Sequence, residues 1–246
     1  MHLPRSGRRM NKTAIAFGTF DGVHRGHQEI INAMLSAAKR GGLDPLIYTF
    51  SNHPAGLFGK SFSMIMTDGE RLAALERFAP VAAERLDRQF AATEPEDFVR
   101  HMAEKYRMGV AIAGFNYTFG SRGAGNMDTL CRLGGKYGFE VYEIPALMYG
   151  GEPVSSTRIR ACIERGDIAG ANAMLGHELE LSCKEKSQNG HAVLKVADGL
   201  VLPAPGRYIT EAEGRRLVCG VLPDGSIEPE EPLRGIKKLR FIGRPV

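Results

Sequence analysis

Between residues 13 and 177 the chain alternates short continuous apolar runs with stretches whose apolar positions recur at helical spacing. That alternation predicts a parallel sheet with crossover helices. Runs of this kind at Thr13–Phe20 (TAIAFGTF), Pro45–Phe50 (PLIYTF), Val110–Phe115 (VAIAGF) and Phe139–Pro145 (FEVYEIP) read as strands. Helical spacing over Gly26–Arg40 puts Ile30, Ile31, Met34, Leu35 and Ala38 on one face, and Gly41-Gly42 ends it. Further helices are predicted over Glu70–Phe78, Met127–Tyr137, Ser156–Arg165 and Ile168–Leu175. Another opens at Thr93-Glu94-Pro95-Glu96, with Thr93 as cap and Pro95 in the first turn. Residues 80–88 fit a helix or a strand.

From about Leu179 the pattern changes. Turn dipeptides stand at Asn189-Gly190 and Asp224-Gly225, and His191–Val196, Arg216–Leu222 and Lys238–Ile242 read as strands. Two domains are therefore expected, residues 11–178 and a small β-rich unit over residues 179–246.

Composition narrows the class. At 246 residues, 43% hydrophobic and 24% charged, the chain can bury a full core without staples. No apolar run approaches the roughly 18 residues of a membrane span. The basic stretch Met1–Met10 leads into no apolar segment, so it is not expected to be a secretory signal and reads as a frayed tail or an upstream start, with the fold beginning at Met10. A net charge of +4 is mild, and no dense Lys/Arg cluster interleaves with aromatics. This balance suits an anionic small molecule rather than nucleic acid or a membrane. Cys131, Cys162, Cys183 and Cys219 form no C-x-x-C, which argues against zinc and for reduced thiols in a cytosolic protein. Neither an oligomeric state nor a set of metal ligands can be read from the sequence.

Two segments carry candidate chemistry. Gly18-Thr19-Phe20-Asp21-Gly22-Val23-His24-Arg25-Gly26-His27 lies where a first strand gives way to a helix, the place an anion is expected in such a sheet. Imidazoles three apart at a helix start point the same way and can donate hydrogen bonds to phosphoryl oxygens as charge develops. Gly26 between them lets a phosphate or base approach the backbone. A histidine pair alone would read as a surface feature or a metal pair; the strand, the glycines and the helix start favour phosphate. No Walker loop and no G-x-G-x-x-G is present. The second segment, Ser155-Ser156-Thr157-Arg158-Ile159-Arg160, offers three hydroxyls at a helix start, for capping or for phosphate. Arg158 and Arg160, two apart, cannot share a helix face, so at most one enters a site. By itself this segment would read as a plain capped helix.

Together, H-x-G-H and S-S-T-x-I-R resemble the signature pair of HIGH-type nucleotidyltransferases. GTFDGVHRGHQ is closer still to the FAD synthetase (FMN adenylyltransferase) domain of bacterial bifunctional riboflavin kinase/FAD synthetases. TFSNHPAGLF (Thr49–Phe58), GFNYTFGSRGAGN (Gly114–Asn126) and SSTRIRACIERGDIAGANAMLGH are similar to further motifs of that family, in the same order. The resemblance runs from about Thr13 to His177. It implies a Rossmann-like α/β nucleotidyltransferase domain followed by the small C-terminal β-rich domain. The implied reaction is attack of FMN on the α-phosphate of ATP with Mg²⁺, giving FAD and pyrophosphate.

On that resemblance His24, His27 and Arg160 are the catalytic candidates. Gly18, Thr19, Phe20, Asp21 and Gly22 supply backbone for the nucleotide, and Ser155, Ser156 and Thr157 hold its outer phosphates. His53, Pro54 and Phe58, with Asn116, Phe119, Gly120 and Arg122, form the flavin side. Ser51-Asn52 and Tyr117 depart from the family pattern, whereas Asn116, where many relatives carry Asp, has precedent within it and removes a negative charge near an anionic substrate.

The segment after residue 178 is about half the length of the usual kinase module and lacks its Gly-Phe-Pro-Thr-Ala-Asn-like stretch. It is expected to be shrunken and without kinase activity. Two other functions fit the same residues: nucleotidyl transfer to another phosphorylated acceptor, and a non-catalytic flavin- or nucleotide-binding protein.

Overall fold

A computed structural model describes residues 11–53, 63–188, 191–231 and 235–245. In chain order the elements begin β1 (Thr13–Phe17), α1 (Arg25–Gly41), β2 (Asp44–Phe50), α2 (Asp68–Glu76), β3 (Val81–Glu84), α3 (Arg88–Ala91), α4 (Pro95–Lys105) and β4 (Met108–Gly114). They continue with α5 (Met127–Tyr137), β5 (Glu140–Ile144), β6 (Met148–Tyr149), β7 (Glu152–Pro153), α6 (Ser156–Glu164) and α7 (Ile168–Leu175). The last are β8 (Leu179–Gln188), β9 (His191–Val196), β10 (Gly206–Ala212), β11 (Arg215–Val221), β12 (Ser226–Pro229) and β13 (Lys238–Gly243).

These fold into two compact units. One takes the chain up to Gly18 with Ile30–Thr49 and Phe78–Pro145; the other takes Thr19–Glu29, Phe50–Arg77 and everything from Ala146. The division falls inside α1.

The first unit is a Rossmann-like sheet in the order β3-β2-β1-β4-β5, and β1 pairs in parallel with both β2 and β4. Its central strands are continuous apolar runs because both faces are covered; Ala14, Ile15, Ala16, Ile47, Ala111, Ile112 and Ala113 are all fully buried. Phe17, Tyr48, Phe98, Tyr117 and Phe119 form an aromatic cluster, with ring centroids 5.5–6.2 Å apart.

The second unit contains a closed six-stranded barrel, β10-β11-β12-β9-β8-β13, whose strand pairs are antiparallel. Closure leaves no free sheet edge. Inward residues alternate along β8 (Leu179, Leu181, Cys183) and β10 (Tyr208, Thr210, Ala212). Helix α7 is tied to the barrel by Asn172, which donates to the Phe241 carbonyl at 2.9 Å and accepts from the Leu179 amide at 2.8 Å.

Two expectations need correcting, and one left open is resolved. β1 ends at Phe17, not Phe20, because Phe20 turns into the left-handed region at φ 56° and breaks the extended chain. The cap of α4 is Glu94 rather than Thr93: Pro95 takes the first helical position, which puts the residue before it outside the helix. Residues 80–88, ambiguous in the sequence, are a strand over Val81–Glu84, and α3 begins at Arg88. The Asp224-Gly225 turn forms as expected, with Gly225 at φ 79°; Asn189-Gly190 lies outside the described residues.

Candidate functional site

The loop after β1 turns sharply. Past Phe20 the chain makes one 3-10 turn, Asp21–Val23, before α1 starts at Arg25. Gly22 sits at φ 77°, and an added Cβ there would lie 3.0 Å from Ile65 and 3.1 Å from Leu175. Glycine is required for both the conformation and the space.

Asp21 organises what surrounds this turn. It is 1% exposed. One carboxylate oxygen accepts from the Ile65 amide at 3.0 Å and the Met66 amide at 3.4 Å, and the other accepts from Arg160 Nη1 at 2.8 Å. Its main-chain carbonyl accepts from Ser156 Oγ at 2.9 Å. A buried carboxylate needs such partners. Burial still pushes its protonation upward from the ordinary carboxylate range, against the two amides and Arg160. The first imidazole segment and the start of α6 therefore meet at one residue.

The three hydroxyls of α6 have distinct partners. Ser155 caps the helix, accepting from the Arg158 amide at 3.2 Å; Ser156 bonds Asp21; Thr157 Oγ1 accepts from Arg160 Nη2 at 3.2 Å. The two arginines diverge as their spacing requires. Arg160 reaches Asp21, whereas Arg158 Nη1 donates to the carbonyls of Tyr149 at 2.7 Å and Glu152 at 2.9 Å.

His24 and His27 stack, with ring centroids 3.5 Å apart and planes 16° from parallel, and Phe20 sets its edge against His27 at 5.3 Å. Room for the His24 ring comes from Gly26, where a Cβ would lie 3.3 Å from that ring. His24 Nδ1 accepts from the His27 amide at 3.3 Å, which assigns it the Nε2–H tautomer. His27 Nδ1 is buried without a hydrogen-bond partner. A proton there would be an orphaned donor, so the proton belongs on Nε2 here as well. Both rings are held neutral. Burial brings His24 down to about 4, and burial, the His24 ring and the Arg71 cation carry His27 well below its usual value. Two uncharged Nε2–H donors on stacked rings result.

Sequence reasoning missed two residues of this region. Arg71 on α2 is 1% exposed and donates to the Thr19 and Phe50 carbonyls and to Asp68. Its signal was an arginine four positions before buried Leu75 on a helix's apolar stripe. His177 places Nε2 3.0 Å from the Gly22 carbonyl and Nδ1 3.0 Å from that of Glu178; nothing in the local pattern marked it.

Of the residues expected on the flavin side, His53 belongs to this unit. Burial, Arg71 and Arg160 lower it to about 4. Pro54 and Phe58 lie outside the described residues. Asn116, Phe119, Gly120 and Arg122 belong to the sheet unit, in the loop after β4. Phe119 is buried and stacks on Tyr117 at 5.5 Å. Gly120 (φ 72°) and Arg122 (φ 54°) take left-handed conformations, and Asn116 is exposed. Gly18 is hydrogen-bonded to the Tyr48 carbonyl within the sheet unit. Among the described residues no group of three or more His, Cys, Asp or Glu could hold a metal, and no helix is long and apolar enough to cross a membrane.

The family model for FAD synthetase matches residues 7–158. The bifunctional riboflavin kinase/FMN adenylyltransferase of Bacillus subtilis is 30% identical over 171 residues, 67% of this chain and 54% of that protein. The Escherichia coli protein of the same name is 28% identical over 173 residues, 68% of this chain and 55% of its own. The chain spans about half the length of these relatives. An FAD synthetase of Listeria monocytogenes is 30% identical over 203 residues, 80% of each chain. A crystal structure titled as a macrolide-efflux protein from Streptococcus pneumoniae superposes with a TM-score of 0.81 over 95% of this chain and 85% of that one. At 24% identity that likeness speaks for the fold alone. With the family model covering well over half of its length, the chain belongs to the FAD synthetase family.

Proposed function

We propose that the protein transfers AMP from MgATP to FMN, yielding FAD and pyrophosphate. An FMN phosphate oxygen forms a bond to the α-phosphorus, and the bond from that phosphorus to the bridging oxygen of the β-phosphate breaks. The electron pair leaves with pyrophosphate. Such chemistry needs positioning and charge stabilisation more than covalent help from the protein.

The observation that carries the reading is the meeting of the stacked imidazoles' turn with the start of α6 and Arg160 at Asp21. Two neutral Nε2–H groups suit phosphoryl oxygens, because they donate without titrating near neutral pH. Arg160 and the amides at the start of α6 favour the outer phosphates. Mg²⁺ would come in with the nucleotide, whose phosphate oxygens suit a hard cation. The names of the relatives support FMN as acceptor.

On this reading residues 11–178 carry the transfer and His53, Asn116, Phe119, Gly120 and Arg122 serve the acceptor. Residues 179–246 are a separate, kinase-inactive β domain, and the protein works in the cytoplasm on small molecules alone.

Product chromatography after incubation with MgATP and either FMN or riboflavin tests this. FAD from FMN and no FMN from riboflavin is expected. A folded protein that makes no FAD contradicts the reading; pyrophosphate release with another phosphorylated vitamin would redirect it to a different acceptor.

A further inference from the structure

Thr19 and Phe20 begin the loop that carries the imidazoles, and Phe20 is held at φ 56°, a conformation an aromatic residue adopts only under constraint. The constraint visible next to it is Arg71. This side chain is fully buried on α2, a helix fixed at its start by a capping box between Thr67 and Glu70. Nη1 donates to the Thr19 carbonyl at 3.0 Å, and Nη2 donates to the Phe50 carbonyl at 2.8 Å and to Asp68 Oδ1 at 2.7 Å. One planar fork thus ties the entry of the imidazole loop to the end of β2 and to α2.

An arginine so far from water is expensive to keep. A leucine would pack there at lower cost. What only a guanidinium supplies is three directed donors and a permanent positive charge next to titratable rings.

We propose that Arg71 is a positioning residue of the nucleotide site: it fixes the Thr19–Phe20 turn that leads into the imidazole pair, and it sets a permanent positive charge beside His27. This rests on the nucleotidyl-transfer reading for its consequence, though not for its geometry.

The charges that bear on the rings come from every neighbouring segment. Arg71 lies on α2 with Asp68, Arg160 on α6 pairs with Asp21 of the turn, and His177 follows α7. Arg71 depresses both His27 and His53, after burial in each case, whereas Arg160 acts on His24 and His53. Losing the Arg71 charge while Arg160 remains should therefore move His27 upward and leave His24 nearly where it is.

Arg71→Gln and Arg71→Lys of the full chain separate charge from hydrogen-bond geometry. The readouts are imidazole titration by NMR without substrates, and the pH profile of FAD formation. In Arg71→Gln the His27 resonance, identified by its loss in His27→Ala, should titrate at a higher pH than in the parent. The acid limb of kcat should follow it, and kcat at neutral pH should fall about 10²-fold as the rings lose their aim. Arg71→Lys should keep the parent titration and profile, with kcat lowered less. A folded Arg71→Gln whose His27 titrates as in the parent overturns the proposal. If Arg71→Gln does not fold, Arg71→Lys decides: parental kcat overturns the positioning role, and lowered kcat on an unchanged pH profile supports it. If the parent makes no FAD but His27 still moves in Arg71→Gln, the reaction is wrong and the role of Arg71 stands.

Discussion

Two loops follow parallel strands of the same sheet, and they are held in place by different physics. The loop after β1 is fixed by polar bonds to buried groups: Asp21 takes two amides and a guanidinium, and Arg71 holds the Thr19 carbonyl. The loop after β4 is fixed by packing. Gly120 leaves no room for a Cβ against Pro95, Gly125 leaves none against Phe119, and Phe119 and Gly125 exchange backbone bonds of 3.0 and 2.9 Å. Both contain non-glycine residues in the left-handed region, Phe20 and Val23 in one and Arg122 in the other. Local backbone strain is therefore common to both loops. What distinguishes the first is buried titratable groups whose protonation the surroundings dictate, and that makes it the loop suited to charge development.

The contrast breaks most visibly at Asp21. Asp21→Ala leaves Arg160, only 14% exposed at its side chain, without its carboxylate, and strands the Ile65 and Met66 amides. A loss of about 3–5 kcal/mol is expected, read as a large drop in the urea midpoint. A second test uses acidity. His24 titrates at about 4 in the folded chain but near 6.5 when unfolded. The folded-state value is depressed, so the stability it confers is complete above pH 6.5 and is lost as pH falls towards 4. On the order of 3 kcal/mol should disappear across that window, followed by chemical denaturation at successive pH values. No such window should trace to the loop after β4, whose glycines carry no proton.

That loop should fail differently. Gly120→Ala places a Cβ 2.8 Å from the Pro95 backbone at φ 72°. Destabilisation of about 1–3 kcal/mol is expected, with the pH dependence of stability unchanged. A matching loss in Gly120→Ala and Asp21→Ala, with the same acid sensitivity, would erase the distinction.

How much of this could be read from the residues follows the same divide. The parallel strands and most helices were legible because apolar periodicity records burial, and burial is what those segments do. Barrel strands β8, β10 and β12 escaped notice. Charged outward positions dilute the alternation of β8 and β10, β12 is only four residues long, and closure with distant partners stabilises all three. The divergence of Arg158 and Arg160 was readable from spacing alone. Asp21 was read as backbone for a nucleotide, whereas its side chain is the hub. Arg71 offered only a charge on an apolar helix stripe and His177 nothing, because the Thr19, Phe50 and Gly22 carbonyls they reach lie 52, 21 and 155 positions away, which no local pattern encodes.

The central claim is that the imidazole pair and Arg160 act on one triphosphate, and a double-mutant cycle in FAD formation tests it most directly. His27→Ala alone should lower kcat by about 10²-fold or more, and Arg160→Ala should cost a similar factor. If both groups grip the same nucleotide, the double variant should be far less impaired than the product of the two single losses. Losses that simply multiply, in variants that still fold, would mean the two groups serve separate ligands and would contradict the account.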